Sequence, residues 1–542
     1  MRRLADAVTE TGLRRREDVL RVAVWRLDSG VPADPGLLLA ASDRARVVRD
    51  LDLAARLARA AVEAGGGAPA LTSLGAVLFY ADRHDEAEEA FARAWAMDMD
   101  EEQRTHCGAH RAFNLFWGLG RVEAAFAVMD EVQRAAAGAP ALQGVRGTRA
   151  ALDLFAGDLE AARARWESLG EFADRRAVLA GASILTRLRY TEARLAECLA
   201  AVDAATAELA KEPHRLPSMS SAVYEAAAQA YLLAGDLDAA DRYIATGYRL
   251  DEDFGSWPRV TIMFGSIEAQ ALRLRGRVAD SLDRARHAVS RLRGRSVFAG
   301  LCLGELAHAH ALLGEADAAE AALARAETVG MPVGPPVVVP LRRARIWTLA
   351  ARGDIAGAVR AALELAEEGL PCDLPPTLHD VVRLGRPDLV AGRLAALPAE
   401  GDLIPVLVRH AHARDGAALD AVSRDFERLG FLLYAAEAGA QAAAAHRREG
   451  RQRAARAAET RAWRLARRCQ GARTIALVDL DMPDLTPRQR EIALLAAQGL
   501  TNRDIAARLF LSVRTVANTL AAVYEKTGVN DRTALGELLK SL

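Results

Sequence analysis

The sequence predicts an all-α protein, in which a long array of helical hairpins leads into a small four-helix domain. Hydrophobic residues make up 51% of the 542 residues but aromatic residues only 5%, a composition that favours closely packed helices over sheets. A sequence pattern recurs along most of the chain: the apolar end of one helix, a turn, and a second helix rich in small residues. The last 58 residues lack this pattern and divide into four short amphipathic segments.

The recurring pattern predicts two-helix repeats over residues 49–470. Successive turn glycines are separated by 37, 78, 41, 38 and 39 residues, and they stand at Gly120, Gly157, Gly235, Gly276, Gly314 and Gly353. The interval of 78 is two periods and contains a weaker repeat that begins at Arg189. A period of about 34 to 40 residues with two helices per unit is typical of tetratricopeptide-like solenoids. The array resembles that family, and a superhelix with a concave binding face is therefore expected.

The remaining segments are assigned from their composition. Residues 1–48 are less regular and are predicted to be a helical lead-in, and residues 471–484 a linker. The proline-rich stretch 331–341 is predicted to be a connecting loop, and 367–380 to break the phase of the repeat. Aromatic side chains at helical spacing within the array fit either a solenoid core or the lining of a ligand groove.

Capping residues divide the C-terminal domain, 485–542, into its four helices. Thr486, Pro487 and Gln489 form a capping box with proline at the first helical position. Thr501 begins the second helix in the same way, and Ser512 caps a third helix that ends at Gly528. The fourth helix is predicted to follow a cap at residue 531 and carries the leucines Leu535, Leu538 and Leu539.

The third of these helices has two unlike faces. At about 100° per residue, one face collects Val513, Val516, Leu520, Val523 and Tyr524. The other carries Arg514, Asn518, Ala522 and Glu525, flanked by Thr515 and Ala521. A short helix, a tight turn and a second helix with a thin polar face suit the major groove of DNA. An ordinary helical hairpin with a solvated outer face is the alternative interpretation of the same pattern.

The segments LTPRQREI, GLTNRDIAARLFLS, RTVANTL and VYEKTGV, followed by Arg532, resemble the LuxR-type (FixJ/NarL-like) helix-turn-helix domain of bacterial transcription regulators. The resemblance covers about 58 residues in order and without gaps. Three positions depart from it: Ala517 where lysine or glutamate is frequent, Thr519 where histidine is usual, and Thr527 where leucine is usual. Loss of a basic residue at 517 implies an altered base preference or weaker binding.

The candidate DNA-binding residues follow from the face of the third helix and from the helix starts. They are Thr501, Asn502, Arg503, Arg514, Thr515, Asn518, Thr519, Ala521, Ala522 and Lys526. Asn518 suits the bidentate contact to adenine, and an alanine methyl suits the thymine methyl. The resemblance further implies that the fourth helix, through Leu535, Leu538 and Leu539, supports dimerisation on a two-fold site.

No constellation in the sequence indicates catalysis, a metal or a cofactor, and the protein is expected not to be an enzyme. The five cysteines are scattered without a Cys-x-x-Cys spacing, and no glycine is followed by lysine, which excludes a P-loop. His106 and His110 are four residues apart on one helix face, but no convincing third ligand accompanies them. No apolar run approaches the roughly 20 residues of a membrane span, and the N-terminus lacks a signal-peptide core, so a cytoplasmic, nucleoid-associated protein is expected.

The order of repeats followed by a terminal helix-turn-helix resembles the C-terminal part of the large ATP-binding LuxR-type regulators, without their nucleotide-binding module. A natural short regulator is expected, with a fragment of a longer regulator as the alternative. The resemblance implies that the repeats sense a small-molecule or protein effector and control assembly, and that the partner is double-stranded DNA. The alternative is an interaction scaffold with weak or no specific DNA binding. Residues 484–542 carry eight basic and six acidic side chains, so a dimer or the ten arginines of 442–473 would have to add phosphate contacts.

Overall fold

The computed structural model describes residues 1–10, 18–30, 33–48, 50–170, 175–211, 217–253, 258–331, 333–478, 480, 485–529, 531–533 and 535–536. Over these residues the chain is built from helices, and the predicted all-α class is confirmed. None of the described helices combines the length and the apolar character that crossing a bilayer requires.

Up to α26, the helices follow one another with short connections. The first ten are α1 Arg2–Glu10, α2 Asp18–Asp28, α3 Pro35–Val47, α4 Leu51–Glu63, α5 Gly67–Tyr80, α6 His84–Trp95, α7 Glu101–Phe113, α8 Val122–Ala135, α9 Ala139–Ala156 and α10 Leu159–Glu167. The next ten are α11 Arg175–Thr191, α12 Leu195–Leu209, α13 Pro217–Ala234, α14 Leu237–Asp253, α15 Pro258–Leu274, α16 Val278–Ser290, α17 Ala299–Leu312, α18 Ala316–Val329, α19 Pro335–Ala351 and α20 Ile355–Glu368. The last nine are α21 Leu374–Arg383, α22 Ala391–Ala395, α23 Leu403–His412, α24 Gly416–Arg428, α25 Leu432–Arg448, α26 Gln452–Arg468, α27 Pro487–Ala497, α28 Asn502–Leu509 and α29 Val513–Thr527.

The hairpin turns explain why the repeat is visible in the sequence. All six turn glycines have a positive φ, between 64° and 96°, which costs a residue without a Cβ little. The weak repeat near Arg189 has the same turn, but Ala193 occupies the left-handed position with φ 58°. The repeat is therefore present in the structure where its glycine is absent from the sequence.

A recurring hydrogen bond holds the two helices of several hairpins together. Ser42 Oγ donates to the carbonyl of Ala54, twelve residues away, at 2.9 Å. Ser281 Oγ and Ser423 Oγ make the corresponding bond at the same sequence separation, each at 2.7 Å. These hydroxyls are buried, so the bond replaces the water that burial removes. Small side chains at these positions let neighbouring helices approach closely.

The array curls until its middle turns contact its later helices. Asp402 N–H donates to the carbonyl of Ala234 at 2.8 Å, and Arg473 N–H to the carbonyl of Leu312 at 2.6 Å. A Cβ built on Gly235 would stand 2.9 Å from the Leu403 Cβ, so this turn glycine is also needed for close approach. The contact of Ala234 with Asp402 thus joins the first half of the array to the second.

The proline-rich stretch 331–341 corrects one expectation. It is not a loop throughout, because Pro335 begins α19 and Pro340 lies inside that helix. Pro335 lies in the first helical turn, where proline is tolerated because the backbone N–H has no intrahelical acceptor, whereas Pro340 lies beyond that turn. The segment 367–380 contains the short 3-10 turn Pro371–Asp373 before α21 begins, and the following helices α22 and α23 are short.

The C-terminal helices α27 to α29 enclose a core of their own. Ile492, Ala496, Val516 and Val523 are completely buried within it. Helix α29 also packs against α26, the last helix of the array. The predicted domain limits at 48, 470 and 484 stay predictions. Helices α3 and α4 pack together across the first of these limits.

Candidate nucleic-acid interface

Capping boxes position the helices of the interface as the sequence predicts. Thr486 Oγ accepts a hydrogen bond from the Gln489 backbone at 3.2 Å, while the Gln489 side chain accepts one from Thr486 N–H at 3.1 Å. Thr501 and Asp504 form the same reciprocal pair at the start of α28. The Thr501 hydroxyl and backbone N–H hold the pKa of the Asp504 carboxyl below its usual value, so the cap is charged near neutral pH.

The turn between α28 and α29 is tight and has an unusual centre. Phe510 adopts the left-handed conformation with φ 53°, and its side chain is 96% exposed. Leu511 N–H donates to the carbonyl of Ala506 at 2.9 Å, which closes the turn. Ser512 then caps α29 through the Thr515 N–H at 3.0 Å. The sequence locates this connection but does not indicate that its aromatic ring points to solvent.

Helix α29 separates its side chains into a buried and an open face. Val516, Leu520, Val523 and Thr527 are buried in the core of the domain. Exposed side chains on the other side are Arg514, Thr515, Ala517, Asn518, Ala521, Glu525 and Lys526, while Thr519 and Ala522 are half-buried. Apart from its arginine, amide, lysine and carboxylate, this face is formed by short side chains, so the helix backbone is accessible to a large partner.

Two side chains predicted to contact DNA bases are exposed on this face. Within the part of the chain that the structure describes, Arg514 and Asn518 have no side-chain hydrogen bond or ion pair. They are four residues apart and therefore lie one above the other on the helix. Their donors and acceptors are free to meet a partner without first breaking an internal contact.

Several of the predicted DNA-binding side chains already have partners in the chain. The Thr501 hydroxyl donates to Asp504 Oδ2 at 2.6 Å, and the Thr515 hydroxyl lies 2.7 Å from Ser512 Oγ. Thr519 Oγ donates to the Thr515 carbonyl at 2.8 Å, an ordinary back-bond within a helix. Their hydroxyl hydrogens are therefore less available than the sequence alone indicates.

Asn502 has an intrachain partner as well, whereas the two cationic candidates reach solvent. Asn502 Oδ1 accepts a hydrogen bond from Arg532 Nη2 at 2.5 Å, which ties the start of α28 to the residues after α29. Arg503 is exposed beside it. Lys526 Nζ donates to Gln489 Oε1 at 3.1 Å but remains exposed at the C-terminal end of α29.

The C-terminal end of α29 docks on the array, a feature that the sequence pattern does not predict. Arg456 Nη1 on α26 donates to Glu525 Oε1 at 2.9 Å and to the Glu525 carbonyl at 3.2 Å. Gly528, with φ 70°, lies so close to α26 that a Cβ there would overlap the backbone of Ala457. In the sequence, the glycine that ends α29 and the arginine excess of 442–473 are the features related to this contact, and neither predicts it.

The predicted dimer contact involves one residue whose burial is now defined. Leu535 is completely buried and packs in the core of the C-terminal domain, so its side chain has no surface for a partner in this arrangement. Leu538 and Leu539 lie outside the described residues. Dimerisation through the fourth helix stays a prediction.

Histidines and cysteines are the other side chains that could bind a metal or react. Among the residues that the structure describes, no three His, Cys, Asp or Glu side chains are grouped so that they could hold a metal ion. The rings of His106 and His110 are tilted by 57° to each other, with centroids 4.5 Å apart. All five cysteines are buried. Burial raises the pKa of the Cys198, Cys302 and Cys469 thiols to about 12, which leaves them unreactive near neutral pH.

The geometry of α27 to α29 defines a helix-turn-helix domain, carried at the end of a long helical-repeat array. Residues 483–538 match the family described as bacterial regulatory proteins, luxR family. The spore germination protein GerE of Bacillus subtilis is 42% identical over 59 residues, which are 80% of its length and 11% of this chain. Through this domain the chain belongs to the luxR family.

Other relatives share the same short region. A protein named as an HTH-type transcriptional regulator in Mycobacterium tuberculosis is 49% identical over 51 residues, 9% of this chain and 6% of that protein. The response regulator Rre1 of Synechocystis is 46% identical over 52 residues, 10% of this chain and 22% of that protein. The matches therefore span only a small part of these longer relatives.

Solved structures are similar to the chain over a greater length at low identity. The Cut9–Hcn1 hetero-tetramer of APC/C covers 95% of this chain and is covered over 97% of its own, with 12% identity and a TM-score of 0.41. The TPR domain of P58(IPK) covers 71% of this chain and is covered over 97%, with 13% identity and a TM-score of 0.25.

Proposed function

We propose that this chain is a DNA-binding transcriptional regulator, in which α29 reads promoter DNA from the major groove and the helical array senses a ligand or protein partner. The observation that carries the proposal is the open face of α29. Its Arg514 and Asn518 are exposed and uncommitted, while the opposite face is fixed in the core of the domain. A helix supported in this way can enter a groove without rearranging.

The side chains suggest a division of roles on DNA. Asn518 can make two hydrogen bonds to adenine, and Arg514 two to guanine. The methyl groups of Ala521 and Ala522 are placed to meet a thymine methyl. Arg503 and Lys526 supply charge to the phosphates. Thr501, Asn502, Thr515 and Thr519, whose side chains have internal partners, contribute less than these two.

The small charge of the domain requires additional phosphate contacts. Eight basic residues against six acidic ones leave residues 484–542 with about +2, which is low for a sequence-specific binder. The docked helix α26 is arginine-rich and lies next to α29. We therefore expect the protein to bind DNA as a dimer or higher assembly, with the arginines of α26 near the duplex.

Selection of binding sites by the full chain from randomised duplexes tests the proposal. A sequence-specific regulator enriches a common motif, and its binding to that motif weakens steeply as salt increases. Asn518→Ala is the matched variant, since it removes one base contact and leaves the buried face of α29 unchanged. Failure of the unmodified chain to enrich any motif at low salt would overturn the proposal.

An interaction scaffold is the second candidate, favoured by Ala517 and by the internally bonded threonines. It would use the array to recruit a protein and would bind DNA weakly and without sequence preference. The same selection separates the two, because a scaffold leaves the pool unenriched.

A further inference from the structure

A cavity of about 320 Å³ lies inside the superhelix, where the two halves of the array face each other. Its walls come from the first half, at Trp117, Phe155 and Tyr190, and from the second half, at Arg343 and Tyr434. This volume is within the range of sites for small organic molecules. It lies away from α29 and has no part in the DNA-reading face.

One wall of the cavity is aromatic. Trp117 and Phe298 are nearly parallel, with an angle of 11° and ring centroids 5.7 Å apart. Phe155 meets Trp117 edge-on at 4.5 Å. Val260, Val337 and other aliphatic side chains extend this surface. Such a wall favours a planar apolar body.

The charged side chains of the cavity balance one another. Four arginines and four carboxylates line it: Arg187, Arg259, Arg273, Arg343, Glu225, Glu305, Asp373 and Asp380. Arg273 holds Glu305 in a double hydrogen bond at 3.0 and 3.1 Å, and Arg187 forms an ion pair with Glu225. A ligand with a net charge would enter without a counter-ion and would lose its hydration, which is costly in a buried site.

Two of these charged groups have atoms that lack a hydrogen bond. Arg343 Nε and Asp380 Oδ2 are both buried and without a hydrogen-bond partner, and they stand 3.6 Å apart. The first is a donor and the second an acceptor. A single hydroxyl or amide group can satisfy both, because it accepts from the guanidinium and donates to the carboxylate.

His379 adds a second unsatisfied acceptor to the same lining. Burial lowers the pKa of His379 well below its usual value and that of His410 to about 4, so both rings are neutral. His410 Nε2 donates to Gln441 Oε1 at 2.7 Å, and its Nδ1 therefore accepts from His379 Nε2 at 2.9 Å. This tautomer leaves His379 Nδ1 as a lone pair without a partner in the chain.

We propose that this cavity binds an uncharged small molecule with a planar apolar body and a hydroxyl or primary amide end. The apolar body lies against Trp117 and Phe298, and the polar end accepts from Arg343 Nε and donates to Asp380 Oδ2. The second N–H of a primary amide end, which a hydroxyl lacks, donates to His379 Nδ1. That the bound molecule is an effector of DNA binding rests on the proposed function, whereas the binding itself does not. Occupancy would connect the two halves of the superhelix, because both contribute to the lining.

Binding of four matched probes to the full chain, measured by calorimetry without DNA, tests the proposal. The probes are 2-naphthol, naphthalene-2-carboxamide, 2-naphthoate and 2-naphthylmethylammonium, which share one ring system and differ in polar group and charge. The two neutral probes are expected to bind at least about tenfold more tightly than either ion. Equal binding of neutral and charged probes, or no binding of the neutral ones, would overturn the proposal.

Two variants locate the binding. Ala222→Trp, on the cavity-lining face of α13, fills the space and is expected to abolish probe binding, whereas Ala92→Trp, on the exposed face of α6, preserves it. Asp380→Asn keeps the side-chain shape but removes one negative charge, so it is expected to shift the preference toward 2-naphthoate. Unchanged binding in Ala222→Trp would place the probes elsewhere and contradict the site. A chain that binds neutral probes but no DNA would retain this site and refute only the proposed function.

Discussion

Arg456 on α26 and Glu525 on α29 join the helical array to the DNA-reading helix through a 2.9 Å hydrogen-bonded ion pair. Their side chains are 39% and 71% exposed, so the pair contributes only about 0–1 kcal/mol. The closer contact is that of Gly528 with the Ala457 backbone, where a Cβ cannot be accommodated. Backbone packing, more than the ion pair, therefore holds the C-terminal domain on the array.

Gly528→Ala is expected to release the C-terminal domain from α26. The substitution adds a methyl group that overlaps the Ala457 backbone, and it strains a left-handed residue by about 1–2 kcal/mol. Hydrogen exchange in α26 and proteolytic cleavage in residues 471–484 should both increase.

Gly499→Ala is the matched control for that release. Gly499 also ends a helix of the domain, with φ 89°, but no atom lies within 4 Å of its Cβ position. It therefore carries the backbone strain without the clash. Equal proteolysis of the two variants would show that strain in the domain, and not contact with α26, is responsible.

Short-range sequence signals predict much of this fold. Glycine turns and capping threonines specify backbone conformation within a few residues, so the hairpins, the caps at Thr486 and Thr501 and the course of α29 are visible in the sequence. The closure of the superhelix is not, because contacts such as Ala234 with Asp402 join residues far apart in the chain. Pro340 was misleading for a different reason, because a proline beyond the first turn usually kinks or ends a helix and therefore resembles a loop in the sequence.

The sequence predicts which side chains of α29 are exposed, but not which side chains of the candidate site have hydrogen-bond partners within the chain. Periodicity placed Arg514 and Asn518 outward, because exposure follows directly from the buried stripe of α29. Periodicity does not indicate that Asn502 bonds Arg532, or that α26 covers the end of α29, since those contacts depend on tertiary packing. The cavity depends on closure of the superhelix and left no pattern in the sequence beyond scattered aromatic residues.

Asn518→Ala and Lys526→Ala are expected to weaken DNA binding in different ways. Loss of a base contact by Asn518 should cost about 1–3 kcal/mol on the selected site and relax preference at one position. Loss of the Lys526 charge should weaken binding evenly on specific and random DNA and reduce the salt dependence. Competition binding at several salt concentrations distinguishes the two, and an equal loss on both kinds of DNA for both variants would contradict these roles.

The buried ion pair between Arg383 and Glu437 should be sensitive to loss of one partner. Two hydrogen bonds of 2.6 and 2.9 Å join them, and each side chain is only 1% exposed. Glu437→Gln leaves a buried guanidinium undercompensated and is expected to destabilise the array by about 3–5 kcal/mol. Arg383 Nη1 also donates to the buried Asp380 at 2.9 Å. The triple variant Arg383→Met/Glu437→Met/Asp380→Asn, which removes both carboxylates together with the guanidinium, should therefore recover part of that loss in urea unfolding followed by circular dichroism. A triple variant no more stable than Glu437→Gln would contradict the assigned cause.

Gly235→Ala should open the superhelix, whereas Gly353→Ala should not. Both glycines end the first helix of a hairpin with a positive φ, 96° and 82°, so the strain on the turn is alike. Only at Gly235 would the new Cβ press on the far half of the array, 2.9 Å from the Leu403 Cβ; at Gly353 it would meet open space. Small-angle scattering should therefore show a larger radius of gyration for Gly235→Ala, together with weaker binding of 2-naphthol, because the cavity walls separate. The same expansion in both variants would mean that turn strain alone loosens the array and that the contact with Leu403 does not hold it closed.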